Sequence, residues 1–567
     1  MAFFTQRLVA CYARIFCLLL TSCWSVQAQN WEAATSLPTA AGGTSSVNNI
    51  LADGSGGYVI SGSFTGTITL GSFILTSKGN QDLFVARLSS LGSYSQAVSF
   101  GGIGTEAGGS LVLDATGSVI IAGSFDSPTI NFGTSTLTKI SASGTNSDLF
   151  IARLNLAGQW TQAALAGGPG EMSVTGIALD PTGTTVVVGS FTGGNATFGS
   201  LTVQSDSYGG AFFVARLSST GSWTQALTAN GDVPNSASGV AVDANGSAWV
   251  YGTCLSGGTL TFGSFTLTTA TGMAVFVARL NRTGTWVQLS KATSASSVIY
   301  SADIALDKSG NAVVIGNFRG ADVNFGTTSL TYNGLRNSQS SDNLFVARLT
   351  GGGSWTQAVQ ATGSNYHSAS SLALDANGNV LLTGTFRSPS ITFGATTLTN
   401  SNSNPGATLT DDIFLARLTM AGTWASAIQA GGMGNDFPSS VLVDGSSAII
   451  AGNFQQNAAF GALTISTPAT STGFIARTGN ILSSSQPNAI PSICFLAPNP
   501  ATAASMLTLS AMAAPCPIQL LDALGREVRS FVLPAHATTL LLDLAGLPAG
   551  IYVVRYGLTN TRLEIKQ

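Results

Sequence analysis

A five-residue phrase, Phe-apolar-Ala-Arg followed by Leu or Thr, recurs seven times in this chain, beginning at Phe84, Phe150, Phe213, Phe276, Phe345, Phe414 and Phe474. Successive copies lie 60 to 69 residues apart. A period of that length implies one supersecondary unit per repeat, stacked on its neighbours because no unit can bury its apolar face alone. Other phrases keep step. Asp-x-x-Gly begins at Asp114, Asp180, Asp243, Asp307 and Asp375, and Gly-x-Phe follows at Gly62, Gly123, Gly189, Gly316, Gly384 and Gly452. Phe-Gly comes next, at Phe132, Phe198, Phe262, Phe325, Phe393 and Phe460. An aromatic residue closes each unit: Tyr94, Trp160, Trp223, Trp286, Trp355 and Trp424.

Each phrase has a strand or turn reading. The apolar runs are rich in β-branched residues and bounded by turn residues. In Asp-x-x-Gly the carboxylate accepts a turn hydrogen bond and the glycine takes a positive φ, which joins two antiparallel strands. In Phe-Val-Ala-Arg-Leu alternate residues share a face, and both faces carry apolar atoms, as a strand between two packed layers requires. The unit therefore predicts four main strands plus a hairpin around Phe-Gly, the strand number of a propeller blade. The last unit has no closing aromatic after Phe474, while Trp31 precedes every other phrase. That one-unit offset is expected of a ring whose N-terminal strand completes its last blade. The expected fold is all-β: a seven-bladed β-propeller over residues 29–480, followed by a smaller domain.

Composition agrees. Charged residues make up 8% of the chain, against roughly 25% in an ordinary soluble domain. Gly numbers 67 of 567, which suits short strands and tight turns. With a formal net charge of -3, nothing draws the protein to nucleic acid. The mean hydropathy is +0.33, yet the apolar residues are dispersed in strand-sized groups rather than in a run of about 18–20 that would span a bilayer.

Residues 1–28 read as a signal peptide, with Arg7 and Arg14 before a short apolar stretch and a small-residue site at Val26-Gln27-Ala28. Two processing routes fit: cleavage after Ala28, or lipidation of Cys23 at the lipobox-like Leu20-Thr21-Ser22-Cys23. Residues 481–490 read as a linker. Residues 491–567 carry their own phrases: Pro498-Asn499-Pro500, an Asp522-to-Gly525 turn followed by Arg526, then Leu547-Pro548-Ala549-Gly550-Ile551-Tyr552, and a closing stretch with Arg562 and Lys566.

Two resemblances follow from these motifs. The units, as at residues 374–379, Thr383-Gly384 and residues 342–349, resemble the SBBP-type β-propeller repeats of bacterial exported proteins, a likeness that covers about residues 30–480. It implies a fold and an exported location but lends no chemistry. Residues 491–567 resemble the type A sorting domain of the type IX secretion system. That family often has an aromatic before Pro-Asn-Pro, where this chain has Ala497. The resemblance implies a small immunoglobulin-like sandwich, recognition by the type IX machinery, and removal after export. Cys494 and Cys516 either pair across this domain or stay as two apolar thiols.

Site residues are sparse. The seven repeat arginines (Arg87, Arg153, Arg216, Arg279, Arg348, Arg417, Arg477) are expected to be structural, since a buried charge must be paired, and Arg279→Ala is expected to cost about 2–4 kcal/mol. The competing reading is a basic ring for an anionic glycan. The Asp-x-x-Gly aspartates read as turns, because the glycine falls too early for a calcium loop. Cys254 stands where other units have Phe and is expected to be a buried apolar substitute. The histidines are His367 and His536, and glutamate in residues 29–480 is confined to Glu32, Glu106 and Glu171. No catalytic, metal or cofactor site is assigned. The expected function is binding or adhesion outside the cell, to a glycan or protein. The alternative is a secreted enzyme acting on extracellular polysaccharide. The contact surface is expected on the variable loops, among them residues 332–341 and Tyr366-His367.

Overall fold

The computed structural model describes residues 30–141, 144, 146–205, 209–294, 296–332, 342–403, 409–479, 495–508, 516–522, 526–534, 537–556 and 559–566. The signal-peptide and linker segments, Cys23, Cys494, His536 and residues 333–341 lie outside them. Every regular element among the described residues is a β-strand. The chain divides into two compact units, Gln29–Ile481 and a second built on Leu482–Gln567.

The larger one repeats a four-stranded antiparallel sheet seven times. Its first strands are Thr44–Ala52, Glu106–Leu113, Met172–Leu179, Asn235–Val242, Val298–Leu306, His367–Leu374 and Phe437–Asp444. In unit six, for example, His367–Leu374 pairs with Val380–Phe386, then Asp412–Leu418, then Trp424–Ala430. A short hairpin, Ser390–Phe393 with Thr396–Thr399, projects between the second and third strands. The fourth strand of unit seven is Trp31–Ser36, paired antiparallel with Thr472–Thr478.

The recurring phrases are explained by contacts. In Asp375-to-Gly378 the Asp375 carboxylate accepts from the amides of Asn377 and Asn379 at 2.8 and 3.0 Å, and Gly378 has φ +76°. The glycine of Gly-x-Phe is required by close approach. A Cβ on Gly384 would lie 2.0 Å from the Ser368 carbonyl oxygen and 2.7 Å from the Phe414 ring. The three aromatic positions meet in one cluster. In unit six the Phe393 centroid is 5.1 Å from Phe414 and 5.0 Å from Trp424, the latter edge-to-face. Each aromatic of this kind buries some 150–250 Å², so the motifs that are rare in composition dominate the packing.

Recurring links also join neighbouring units. The indole of Trp424 donates to the Gln360 carbonyl of unit five at 3.1 Å, and that of Trp223 to the Leu165 carbonyl of unit two at 3.0 Å. Trp31 repeats this contact, donating to the Gln429 carbonyl of unit six at 2.9 Å, with its ring 5.1 Å from Phe460. At the opposite seam, the amide of Glu106 donates to Gln81 O at 2.9 Å, and that of Met172 to Ser147 O at 2.9 Å. The amide of Ser45 in unit one donates to Ser471 O of unit seven at 3.0 Å in the equivalent way. Strand Thr44–Ala52 also packs on Phe437–Asp444. Units one and seven are therefore joined by the bonds that join consecutive units.

The second unit has two sheets. One is Phe495–Ala497, Ala504–Thr508 and Thr539–Asp543, and the other is Glu527–Leu533, Cys516–Leu521, Gly550–Tyr556 and Thr559–Ile565. They share a core that includes Leu507, Ile518, Leu542, Val554 and Leu563.

Candidate functional site

The repeat arginines meet two kinds of partner inside the sheets, and Arg216 meets both, with Asp180 of its own unit at 3.7 Å. Arg216 and Arg348 donate to the turn-glycine carbonyls of the next unit, Gly246 at 2.9 Å and Gly378 at 2.7 Å, and Arg87 does the same to Gly117. Arg153, Arg279, Arg417 and Arg477 instead pair with turn aspartates of their own unit, Asp114 at 2.8 Å, Asp243 at 2.6 Å, Asp375 at 3.4 Å and Asp444 at 2.6 Å. Arg279 also lies 5.0 Å over the Trp249 ring and is 23% exposed. Asp243 keeps the Trp249 indole and the Ser247 amide without it. The larger cost therefore belongs to Arg216, which is 3% exposed. Arg216→Ala should cost about 2–4 kcal/mol by leaving the Gly246 carbonyl unpaired, and Arg279→Ala about 1–2 kcal/mol, as read by denaturant unfolding.

Cys254, His367 and Tyr332 are buried. Cys254 is a free, buried thiol in the apolar core, and burial pushes it up to about 11. His367 is buried, with Nδ1 2.6 Å from Asp342 O and Nε2 2.8 Å from Ser388 Oγ, and burial pulls it down to about 4. Glu32 and Glu171 are exposed. Among the described residues no group of three His, Cys, Asp or Glu side chains is placed to hold a metal ion.

Buried carboxyls are not legible in the sequence. Glu106 and Asp436 occupy equivalent seam positions and are fully buried. Burial pushes Glu106 up to about 7, with Asp82 and Asp126 adding and the Ser127 and Gly102 hydrogen bonds opposing. Burial, then the charge of Asp412, pushes Asp436 up to about 8, and burial pushes Asp412 up to about 6. The fold favours the neutral form of all three. Their stabilisation is complete below the ordinary carboxylate range near pH 4 and is lost as pH rises through about 6 to 8. Burial of His367 in its neutral form works the other way below about pH 6.5, where the unfolded imidazole takes up a proton, so the net weakening of the repeat domain, about 1.4 kcal/mol for each unit of pKa shift, should show between about pH 6.5 and pH 8. Asp436→Asn should flatten that slope in denaturation curves taken across the range.

A cleft of about 390 Å³ opens where the first strand of unit six begins. It is lined by the aromatic residues Tyr366 and Phe437, the hydroxyl residues Ser368, Ser370 and Thr385, and the charged pair Arg387 and Asp411. Tyr366 is 40% and Phe437 37% exposed. Arg387 Nη2 donates to Asp411 Oδ2. The equivalent pair in unit five, Arg319 and Asp342, lies at 3.9 Å, and Arg319 Nη2 donates to Tyr300 Oη at 3.4 Å. Register against the Gly-x-Phe and Phe-x-Ala strands identifies what other units carry here. Arg387 corresponds to Thr65, Asp126, Thr192, Leu255 and Gln455, and Asp411 to Gln81, Ser147, Gly210, Met273 and Ser471. The Arg–Asp pair is a departure from the repeat confined to units five and six. Sequence variability points to Tyr366 as a contact residue. It does not single out Arg387, Asp411 or Phe437, although their departure from the repeat is a readable signal.

In the second unit the motif residues tie strands together. Asn499 Nδ2 donates to Arg562 O at 2.8 Å, and its Oδ1 accepts from the Glu564 amide at 2.9 Å, so Pro-Asn-Pro holds the last strand. Tyr552 Oη donates to Pro548 O at 2.9 Å, which fixes the Leu-Pro-x-Gly-x-Tyr turn. Arg526 Nε donates to Asp522 Oδ2 at 2.8 Å across its hairpin.

No curated protein matches the chain significantly. Among solved structures it is similar to a protein of unknown function from Dyadobacter fermentans, 14% identical over 66% of this chain and 94% of that one, with a TM-score of 0.35. It is similar also to the polysaccharide lyase Uly1, at 8% identity over 77% and 90%, TM-score 0.38, and to the WD40 domain of Neurospora crassa Pan2, at 8% over 80% and 98%, TM-score 0.35. Residues 496–566 match the secretion system C-terminal sorting domain, which marks this protein as cargo of type IX secretion, delivered to the cell surface or the extracellular space.

Proposed function

We propose that the protein is an exported, non-enzymatic binding protein: a closed seven-bladed β-propeller of the SBBP type that presents a ligand cleft outside the cell, carried there by an immunoglobulin-like sorting domain that is then removed. The seam bonds between units one and seven support the ring. The observation that carries binding is the cleft at Tyr366 and Phe437, lined by units six and seven and including the Arg387–Asp411 pair by which unit six leaves the repeat. Repeat positions hold the scaffold, and departures on its loops are where function concentrates. Within the cleft Asp411 is engaged by Arg387, which favours a recognition role over that of a free acid or base. The test is to incubate the purified protein with soluble polysaccharides and extracellular proteins, following both binding and product release. Saturable binding without turnover supports the reading. Turnover abolished by substitutions in the cleft overturns it in favour of a secreted enzyme.

A further inference from the structure

Resting on that binding reading, we propose that the cleft between Tyr366 and Phe437 is a subsite for a neutral saccharide, with the two rings flanking the apolar face of a sugar and the Ser368, Ser370 and Thr385 hydroxyls meeting its rim. Size is the first reason. A cavity of about 390 Å³ falls within the range of about 300–1,000 Å³ typical of small-ligand sites, whereas a protein partner is held by about 800 Å² on each side.

Charge is the second reason. Each guanidinium at this end of units five and six has a carboxylate beside it: Arg387 with Asp411, and Arg319 with Asp342. An anionic ligand would have to compete with a buried carboxylate for its cation, at a cost in desolvated charge. A neutral polyol needs no such exchange. Its hydroxyls donate and accept at once, and this lining offers both functions, with donors on Arg387 and acceptors on Asp411 and the three hydroxyl side chains.

The aromatic walls are the third reason. Tyr366 and Phe437 come from adjacent units and sit part-exposed on one cleft, although the fold buries the phenylalanines of the repeat phrases, such as Phe386 and Phe414. Rings left open in this way provide rigid, flat apolar area at little conformational cost.

The experiment uses the chain with its C-terminal domain attached. It is first screened on an array of neutral glycans (glucan, xylan and mannan fragments) and anionic ones (polygalacturonate and sulfated galactan). The best neutral oligosaccharide is then titrated calorimetrically into the wild type, Tyr366→Ala, Phe437→Ala, the conservative pair Tyr366→Phe and Phe437→Tyr, and Ile74→Ala on a distant exposed side chain. Binding is expected to weaken at least about tenfold in each alanine variant, to stay within about threefold in the conservative variants, and to be unchanged in Ile74→Ala, with all melting temperatures alike. Raising salt from about 0.05 to about 0.5 M should change the affinity less than about twofold, because no net charge is neutralised. Three results overturn the proposal: binding confined to anionic glycans, neutral binding that survives both alanine variants, or no neutral glycan bound. A protein ligand held elsewhere on the chain would leave the broader binding reading standing while removing this one. Turnover of a glycan bound in the cleft would do the reverse.

Discussion

Replacing Trp31 by alanine should destabilise the repeat domain by about 3–5 kcal/mol, as truncating a buried aromatic does in a continuous core. Trp31 is nearly buried, stacks edge-to-face on Phe460, and donates to Gln429 O across the seam. Trp286 occupies the same position in unit four, with its ring 5.1 Å from Phe262. The two alanine variants should therefore fall together in denaturant unfolding, despite one residue lying near the start of the chain. Deleting residues 29–38 removes more: the pairing of Trp31–Ser36 with Thr472–Thr478, the Leu37 N to Gly473 O bond at 2.8 Å, and the bond from Thr69 N of the unit-one hairpin to Pro38 O at 2.9 Å. It opens an edge on unit seven and exposes unpaired backbone groups. The deletion should lower stability cooperatively, in one broadened or earlier transition. A Trp31→Ala cost below about 1 kcal/mol, the range of an ordinary surface change, would mean that the strand is an appendage and that the domain is held without it.

The pairing of the Trp31 strand with the last unit is legible in the sequence because it depends on counting. Seven Phe-x-Ala-Arg strands and seven closing aromatics displaced by one unit leave a single sensible partner for Trp31. The Asp-x-x-Gly turns, the hairpin at Phe-Gly and the four-strand unit are legible for the same reason, since each is local and repeated. The cleft is less so. It forms where Tyr366, Arg387, Asp411 and Phe437, spread over 72 positions from 366 to 437, are brought to one end by strand pairing. A search for composition or for catalytic spacing passes over them. Only alignment of each unit against the other six exposes Arg319 and Arg387 as exceptions. The buried carboxyls Glu106 and Asp436 are hidden more thoroughly. The other units carry Ser45, Met172, Asn235, Ile299 and His367 in the equivalent position, so no residue type marks it. The partners of the repeat arginines, carbonyl for Arg87 and Arg348, carboxylate for Arg279 and Arg477, and both for Arg216, likewise differ within one sequence pattern.

Removing residues 491–567 should abolish delivery to the cell surface while leaving the repeat domain folded. The matched sorting domain occupies residues 496–566, and the two compact units divide between Ile481 and Leu482. Each has its own apolar core, that of the second built on residues such as Leu507, Ile518 and Val554. Two separate cores mean that loss of one leaves the packing of the other intact. The truncated chain should accumulate in the periplasm with an unchanged melting transition and should keep any ligand affinity of the cleft. Within the domain, Asn499 and Tyr552 make the bonds that shape the matched motifs. Asn499→Ala removes both ties to the last strand, at about 1–3 kcal/mol in a small domain, and should reduce export more than it reduces expression. Cleavage is expected in the linker at residues 481–490, since processing falls on segments between compact domains. Mass spectrometry of surface material should therefore find peptides from Phe474 upstream and none from Gly550–Tyr556 joined to them. Surface display of the truncated chain would remove the sorting role, and intact tail peptides on the mature surface protein would remove the processing step while leaving the sorting role in place.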